Sequence, residues 1–472
     1  MTGKPLWSGL ALVGALRARA SGGLAREATG VSIDTRTLQP GDLFIAIKGE
    51  TRDGHDFVRT AFEKGAAAAV IDEAHAAELS GAGPLFVVKN VQRSLESLGQ
   101  RARERTDAFI AAITGSVGKT STKDMTRLML SRFGATHAST ASYNNHWGVP
   151  LTLARMPAES NFGVFELGMN HAGEIAALAA QVRPHVAVVT RIAPVHLEYF
   201  GSIENIADAK AEIFSALDGG VAIINRDDGF FERLAAAAAP TASHVFGFGE
   251  TEGADARLLA YEQTGDGALI EAEVLERRMR FRIGAPGRHV AVNALAALLI
   301  GAVFDVDLEE AAAAFADFTP PSGRGRREKI TTPDGAFTLI DESYNANPTY
   351  MRAALDLLGD AATGPGGRRI AVLGDMLELG PRSAELHAAL AQDLIDVGVD
   401  LLFTSGPLMS RLSYAAPDKM RAAHRATPLE LEEAVLSAVR PGDVVMVKGS
   451  NGSRMSRIVS ALKTAFVEEM AN

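Results

Sequence analysis

At 472 residues the chain is too long for one ordinary core, and at roughly 150 residues per domain its element pattern divides into three α/β units. Hydrophobic residues make up 47 % and charged ones 22 %, which excludes a disordered or fibrous chain; 47 Lys and Arg against 57 Asp and Glu leave a formal net charge of −10, with no overall basic field for nucleic acid or for insertion at an anionic membrane. There is no cysteine, so disulfides, thiolate metal sites and cysteine nucleophiles are excluded, and the usage fits a reducing compartment such as the cytoplasm.

The apolar run Leu6 to Leu16 is shorter than a membrane span and reads as a helix packing on the first unit. From Gly30 a turn at Pro40-Gly41-Asp42, a strand at 43–47, helical spacing over 57–64 and a strand at 67–71 build a small α/β module, assigned to residues 1–88. Asp34, Arg36, Lys48 and His55 cluster polar groups at its strand ends, where either a ligand or solvent would meet them. Interleaved charges over 91–106 read as a helical connector into the second unit, residues 89–318.

That unit opens with FIAAITGSVGKTSTKD, residues 109–124: an apolar strand, a Gly/Ser turn, and Lys119-Thr120 at the start of a helix. Gly115 and Gly118 let backbone N–H groups turn inward around phosphate oxygens, together with Ser116 and Ser121; Lys119 supplies a mobile cation, and the Thr120 hydroxyl suits Mg²⁺. The general pattern places a glycine five residues before Gly118, where this chain has Ile113. Strands at 163–167, 186–190 and 221–225 alternate with Ala-rich helical segments, the rhythm of a parallel sheet wrapped by helices. Two prolines and two glycines within 320–325 end this unit, and short apolar runs at 338–341, 370–373, 401–404 and 444–447 mark a third, Rossmann-like unit over 319–472.

Glu166 ends an apolar strand, a place where a carboxylate needs a partner, and a Mg²⁺-facing role opposite Thr120 supplies one. His196 follows the next strand and emerges at the same carboxyl-end crevice. Lys210, in IADAKAEIF, reads by spacing alone as a solvated surface lysine. Asn293 sits near the start of an Ala-rich helix, either pairing with an adenine edge or capping the helix. Asp341, at a strand end, suits ribose hydroxyls, and Arg324 in the hinge could reach phosphate.

Taken together, TGSVGKTSTK, NNHWGVPLTL, ELGMNHAGEI, HLEYFGS followed by AKAEIF, DESYNANP, GDMLELG and VKGSNGSRM resemble the Mur ligase family over nearly the whole chain. The resemblance implies a uridine-nucleotide-binding module, a central ATPase and a Rossmann-like domain that closes over ATP. It implies phosphorylation of a carboxylate by ATP, then attack of an amine on the acyl phosphate. DESYNANP points to the members that join D-alanyl-D-alanine to UDP-N-acetylmuramoyl-tripeptide in peptidoglycan precursor synthesis; another Mur ligase or a folylpolyglutamate-type amide ligase is the alternative. Asp34, Arg36, Lys48 and His55 would then line the uridine-nucleotide pocket, and Asn144, Asn145, Tyr344, Asn345 and Asn347 would meet substrate. The resemblance reverses the reading of Lys210, which becomes a carbamylated lysine holding Mg²⁺ with His196 and Glu166, while Thr120 and Glu166 hold a second Mg²⁺. Val117 and Arg191 stand where the family commonly has Asn, and neither removes a metal ligand. A cytoplasmic monomer is expected. A switch GTPase is disfavoured because no Asn-Lys-x-Asp guanine-reading motif is present.

Overall fold

The computed structural model describes residues 5–23, 27–140, 142–195, 197–265 and 267–471. Its three main sheets, of five, nine and six strands, follow one another along the chain.

The first sheet runs in the order Arg19–Ser21, Leu85–Val88, Ala68–Asp72, Asp42–Ile45, Gly30–Ser32, parallel except at the first pair. Its inner strands are buried on both faces, which explains why they read as unbroken apolar runs. Leu43, Ile45, Val70 and Phe86 pack on one side against helix Gly9–Leu16, as the short apolar run predicts, and Phe44, Ala69 and Ile71 pack on the other against Val58 and Ala61. Helix Val91–Glu104 does more than connect. Asn90 caps it, accepting the Arg93 N–H at 2.8 Å, and Val91, Leu95, Leu98 and Ala102 form one apolar stripe. That stripe joins the first core together with Leu151 and Ala154 of helix Gly148–Arg155, so the helix fastens the first module to the second.

The nine-stranded sheet runs Arg277–Ile283, Gly267–Val274, Ala256–Thr264, His244–Gly249, Val221–Asn225, Val186–Val189, Phe109–Thr114, Phe162–Glu166, Thr136–Ala138. It is parallel from the last of these back to Ala256–Thr264 and antiparallel beyond. The antiparallel meander was not among the sequence expectations: its outward residues, such as Arg278, Arg280, Glu271 and Glu273, are charged and ion-paired across the strands, which dilutes the apolar signal. Its inward face packs on helix Arg288–Val303, buried nearly all round.

In the third sheet the order is Arg326–Thr332, Gly335–Glu342, Val444–Lys448, Arg369–Gly374, Leu401–Ser405, Arg421–Arg425. The four central strands are those the apolar runs locate; the two edge strands are polar and escaped notice. Among the described residues no helix is long and apolar enough to cross a membrane.

Candidate functional site

The strand Phe109–Thr114 lies between Val186–Val189 and Phe162–Glu166, so the loop that follows it opens at the carboxyl ends of parallel strands, where doubly wound sheets bind ligands. Neighbouring strand ends pin this loop. The Thr190 hydroxyl donates to Val117 O at 2.5 Å, Ser116 N–H to Arg191 O at 2.6 Å and the Ser116 hydroxyl to Ala193 O at 3.0 Å. Gly115, at φ +145°, has no room for a side chain, because a Cβ would fall on the Thr190 hydroxyl. Gly118, at φ +93°, would drive a Cβ to 2.9 Å from the Asn293 amide oxygen.

Asn293 is thus packed on the loop and lies inside helix Arg288–Val303, whose cap position is Gly287; the capping alternative is ruled out by position. Lys119 folds back so that its Nζ donates to Gly115 O at 2.7 Å. Burial depresses its pKa, with Arg324 acting in the same direction and Glu166 opposing.

Glu166, 1 % exposed, accepts from the Thr120 hydroxyl on one oxygen and from Asn144 Nδ2 on the other, each at 2.8 Å. A buried carboxylate satisfied by a hydroxyl and an amide, with no ion-pair cation among the described residues, is a group prepared for a hard cation. Thr120 and Glu166 fit Mg²⁺ by donor chemistry. Lys210 corrects the surface-lysine reading. It closes helix Ile203–Ala211, capped by Ser202, and is only 2 % exposed. Burial, then the nearby Lys119 charge, push its pKa well below the ordinary lysine value, and no carboxylate lies within ion-pair distance of it among the described residues. His196 lies outside the described residues.

The third unit reaches this loop. Arg324 Nη2 donates to the Ser142 hydroxyl at 3.3 Å, and its guanidinium sits 4.4 Å from the Tyr344 ring. Val117, Gly118, Ser121 and Asn293 face Arg324, Asn345 and Tyr350 across a cleft of about 40 Å³. Two residues were missed in the sequence: Tyr350, which lines that cleft and which nothing in its helical context singles out, and Lys448 behind it, fully buried, which donates to the lining residues Glu342 at 2.8 Å and Asn345 O at 3.0 Å. The VKGSNGSRM segment was the available signal for Lys448.

Asp341 is saturated by the chain itself, accepting from the Ser322 and Ser343 hydroxyls and from the Gly323 and Ser343 N–H groups, and so holds the hinge turn. Asn347 caps helix Pro348–Gly359, while its Nδ2 is buried without a partner among the described residues. Asn345 accepts the Ala346 N–H. Asn145 accepts the Gly148 N–H at 2.9 Å and starts helix Gly148–Arg155.

In the first module the four candidates form two groups, with no hydrogen bond or ion pair between them among the described residues. Arg36 forks onto Asp34, holding that carboxyl below its ordinary pKa. Lys48 stands 3.9 Å from Asp53, whose other oxygen is 2.6 Å from His55 Nδ1. His55 is buried, and its Nε2 accepts the Asp72 N–H, so both ring nitrogens are engaged. The His75 ring stacks on it at 3.9 Å and 12°. One ligand atom each from Asp53, His55 and His75 lie within 4.8 Å of one another, but both His55 nitrogens are already engaged by Asp53 and the Asp72 N–H, and the stacked rings keep their lone pairs in two nearly parallel planes. A larger cavity of about 780 Å³ lies between Thr29–Val31 and Tyr143, Arg155 and Pro157, lined by none of the four.

Comparison with known proteins bears on this geometry. Relatives named UDP-N-acetylmuramoyl-tripeptide--D-alanyl-D-alanine ligase include those of Escherichia coli, 33 % identical over 441 residues covering 92 % of this chain and 93 % of that one, and of Bacillus subtilis, 33 % identical over 444 residues with the same coverages. A crystal structure of MurF from Acinetobacter baumannii superposes with a TM-score of 0.83 at 30 % identity, covering 98 % of this chain and 100 % of that one. The fold is shared by MurF ligase from Thermotoga maritima in complex with ADP, with a TM-score of 0.77 at 23 % identity, covering 93 % and 98 %. The models for the Mur ligase family catalytic domain, the Mur ligase middle domain and the Mur ligase glutamate ligase domain match residues 27–106, 113–301 and 325–451 in turn, and the chain belongs to the Mur ligase family.

Proposed function

We propose that this chain is an ATP-dependent amide ligase that joins D-alanyl-D-alanine to UDP-N-acetylmuramoyl-tripeptide in peptidoglycan precursor synthesis, acting as a cytoplasmic monomer. Residues 1–88 hold the uridine nucleotide, 89–318 bind ATP and 319–472 close over it. The observation that carries the reading is the gathering of the phosphate loop and the Thr120–Glu166–Asn144 triad at the carboxyl ends of the parallel strands, with buried Lys210 close enough to feel the Lys119 charge. The names of the relatives direct the choice of amine.

The tripeptide's terminal carboxylate attacks the γ-phosphorus, ADP leaves, and an acyl phosphate forms. The D-alanyl-D-alanine amine then adds to the acyl carbon, loses a proton, and phosphate departs. Lys119 leaves Gly115 O to neutralise charge growing on the transferred phosphoryl group, and the loop N–H groups orient the phosphates. Thr120, Glu166, His196 and a carbamate on Lys210 would hold Mg²⁺, which supplies charge neutralisation when bound. The depressed Lys210 pKa supports the carbamate. Only a neutral amine attacks CO₂, forming the N–C bond with loss of one proton, and the product carries one negative charge shared by two oxygens that could face a cation. Asn144 orients Glu166, and the third unit excludes water from the acyl phosphate.

ADP release with UDP-N-acetylmuramoyl-tripeptide tests the reading. Turnover should depend on D-alanyl-D-alanine, and single amino acids such as glutamate should not replace it. Turnover with glutamate on a folate acceptor, and none with the dipeptide, would reject it.

A further inference from the structure

The third unit places a phenol on the phosphate loop. Tyr350 stands in the first turn of helix Pro348–Gly359, its backbone N–H donating to Asn347 Oδ1 at 2.8 Å, and Lys448 Nζ lies 5.3 Å from its ring. Its hydroxyl oxygen accepts the Gly118 N–H at 3.2 Å. Gly118 immediately precedes helix Lys119–Leu130, and the N–H groups at that end are the ones a Gly-Lys-Thr loop directs at phosphate oxygens. The phenol oxygen therefore stands where a phosphate oxygen would accept.

One N–H cannot serve two acceptors with good geometry, so phosphate and Tyr350 exclude each other at Gly118. Burial holds the phenol pKa above its ordinary value against the opposing Arg324 charge and the Gly118 N–H, with smaller support from Glu166 and Glu342, so the group is a neutral hydroxyl and a weaker acceptor than a charged phosphate oxygen. The contact is displaceable. The cleft around it, about 40 Å³, leaves little room for the phenol to turn aside, so displacement is expected to draw helix Pro348–Gly359 away from the loop.

We propose that Tyr350 is a competitor for the phosphate loop, an affinity-setting residue whose hydroxyl the ATP phosphates must displace from Gly118. The inference rests on the ATP reading of the loop. Tyr350→Phe keeps the ring and removes only the hydroxyl; Tyr350→Leu serves as a second variant should the first fail to fold. Titration calorimetry on the full chain, with Mg²⁺ and without the other substrates, compares ATP with adenosine. The variant should bind ATP about five-fold more tightly, the scale of one net hydrogen bond, with adenosine affinity unchanged because it brings no phosphate. Equal or weaker ATP binding by a folded variant overturns the proposal, as does an equal gain for adenosine, which would report a general loosening of the cleft. Failure of the unaltered protein to bind ATP would instead sink the ATP reading, a distinguishable result.

Discussion

At the scale of single residues, the site depends on cations and carboxylates held away from water. Lys119→Ala removes the loop's mobile cation and no core volume, so native-like circular dichroism should accompany a loss of turnover on the order of 10²-fold or more; near-normal turnover would refute its role. Lys210→Ala should also abolish turnover, and a short carboxylic acid supplied in solution should restore part of it by entering the vacated ligand position. Lys210→Arg should resist rescue, because its charge and bulk remain. Full activity of Lys210→Ala in CO₂-depleted buffer would dismiss the carbamate. The contrast between these lysines shows what a single sequence reveals. Lys119 is legible because glycines, strand and helix surround it in a fixed local order. Lys210 is not, because its burial comes from the packing of helix Ile203–Ala211 on a core gathered from distant strands, and the Lys119 charge acting on it lies some ninety residues earlier, so IADAKAEIF carries no trace of either. Glu166 falls between: its strand-end position announced a partner, and the structure supplies Thr120 and Asn144.

Elements show the same division between local pattern and distant packing. The four central strands of the third sheet were readable because both faces are covered and their runs are apolar throughout, whereas the edge strand Arg421–Arg425 shows solvent most of its side chains and reads as loop. Helix Val91–Glu104 was readable as a helix but not as a fastener, since its partner helix Gly148–Arg155 lies beyond the phosphate loop in sequence. Leu98, fully buried in that seam, gives a test. Leu98→Ala should cost about 2–5 kcal/mol, the range for a truncated buried leucine, and lower the melting temperature; an unchanged melting temperature would show that the seam does not contribute to stability. The module on the far side of that seam carries a pH-dependent pair. The Asp72 side chain bonded to His75 Nδ1 at 2.7 Å holds the imidazole pKa above its ordinary value of 6.5, against a smaller opposing effect of burial. A raised folded-state pKa stabilises the fold fully below pH 6.5, and that stabilisation disappears as pH rises through the folded value. His75→Ala should therefore lower the melting temperature more at about pH 5.5 than at about pH 8.5, the difference reporting linkage rather than packing; an equal loss at both would assign His75 a packing role only.

At the scale of the whole molecule, the third unit already touches the second, Tyr350 at Gly118 of the phosphate loop, where the two line a cleft of about 40 Å³, and Arg324 at Ser142. Ligand pockets run to roughly 300–1,000 Å³, so admission of ATP between Asn293 and Tyr350 is expected to part the units, which would then close again around it. The expected hinge for that motion is the turn 322–325, with Gly323 at φ +78° and Gly325 at φ +91°, anchored on Asp341. The chain's lack of cysteine makes the motion measurable without a background of native thiols. Leu10→Cys in the first module and Tyr414→Cys in the third unit lie at side chains 78 % and 85 % exposed, so dyes attached there report separation without entering the cleft. Fastening of the first module to the second by the Leu98 seam makes Leu10 a fixed reference, and a change in energy transfer then measures movement of the third unit alone. Addition of ATP with Mg²⁺ should shift the transfer efficiency of the doubly labelled protein, and Lys119→Ala in the same background should shift it less at equal ATP, since it weakens the phosphate contact that competes with Tyr350. One unchanged distribution across all nucleotide concentrations, in protein shown by calorimetry to be saturated with ATP, would mean that the nucleotide enters without domain movement and that the cleft widens by side-chain rotation instead.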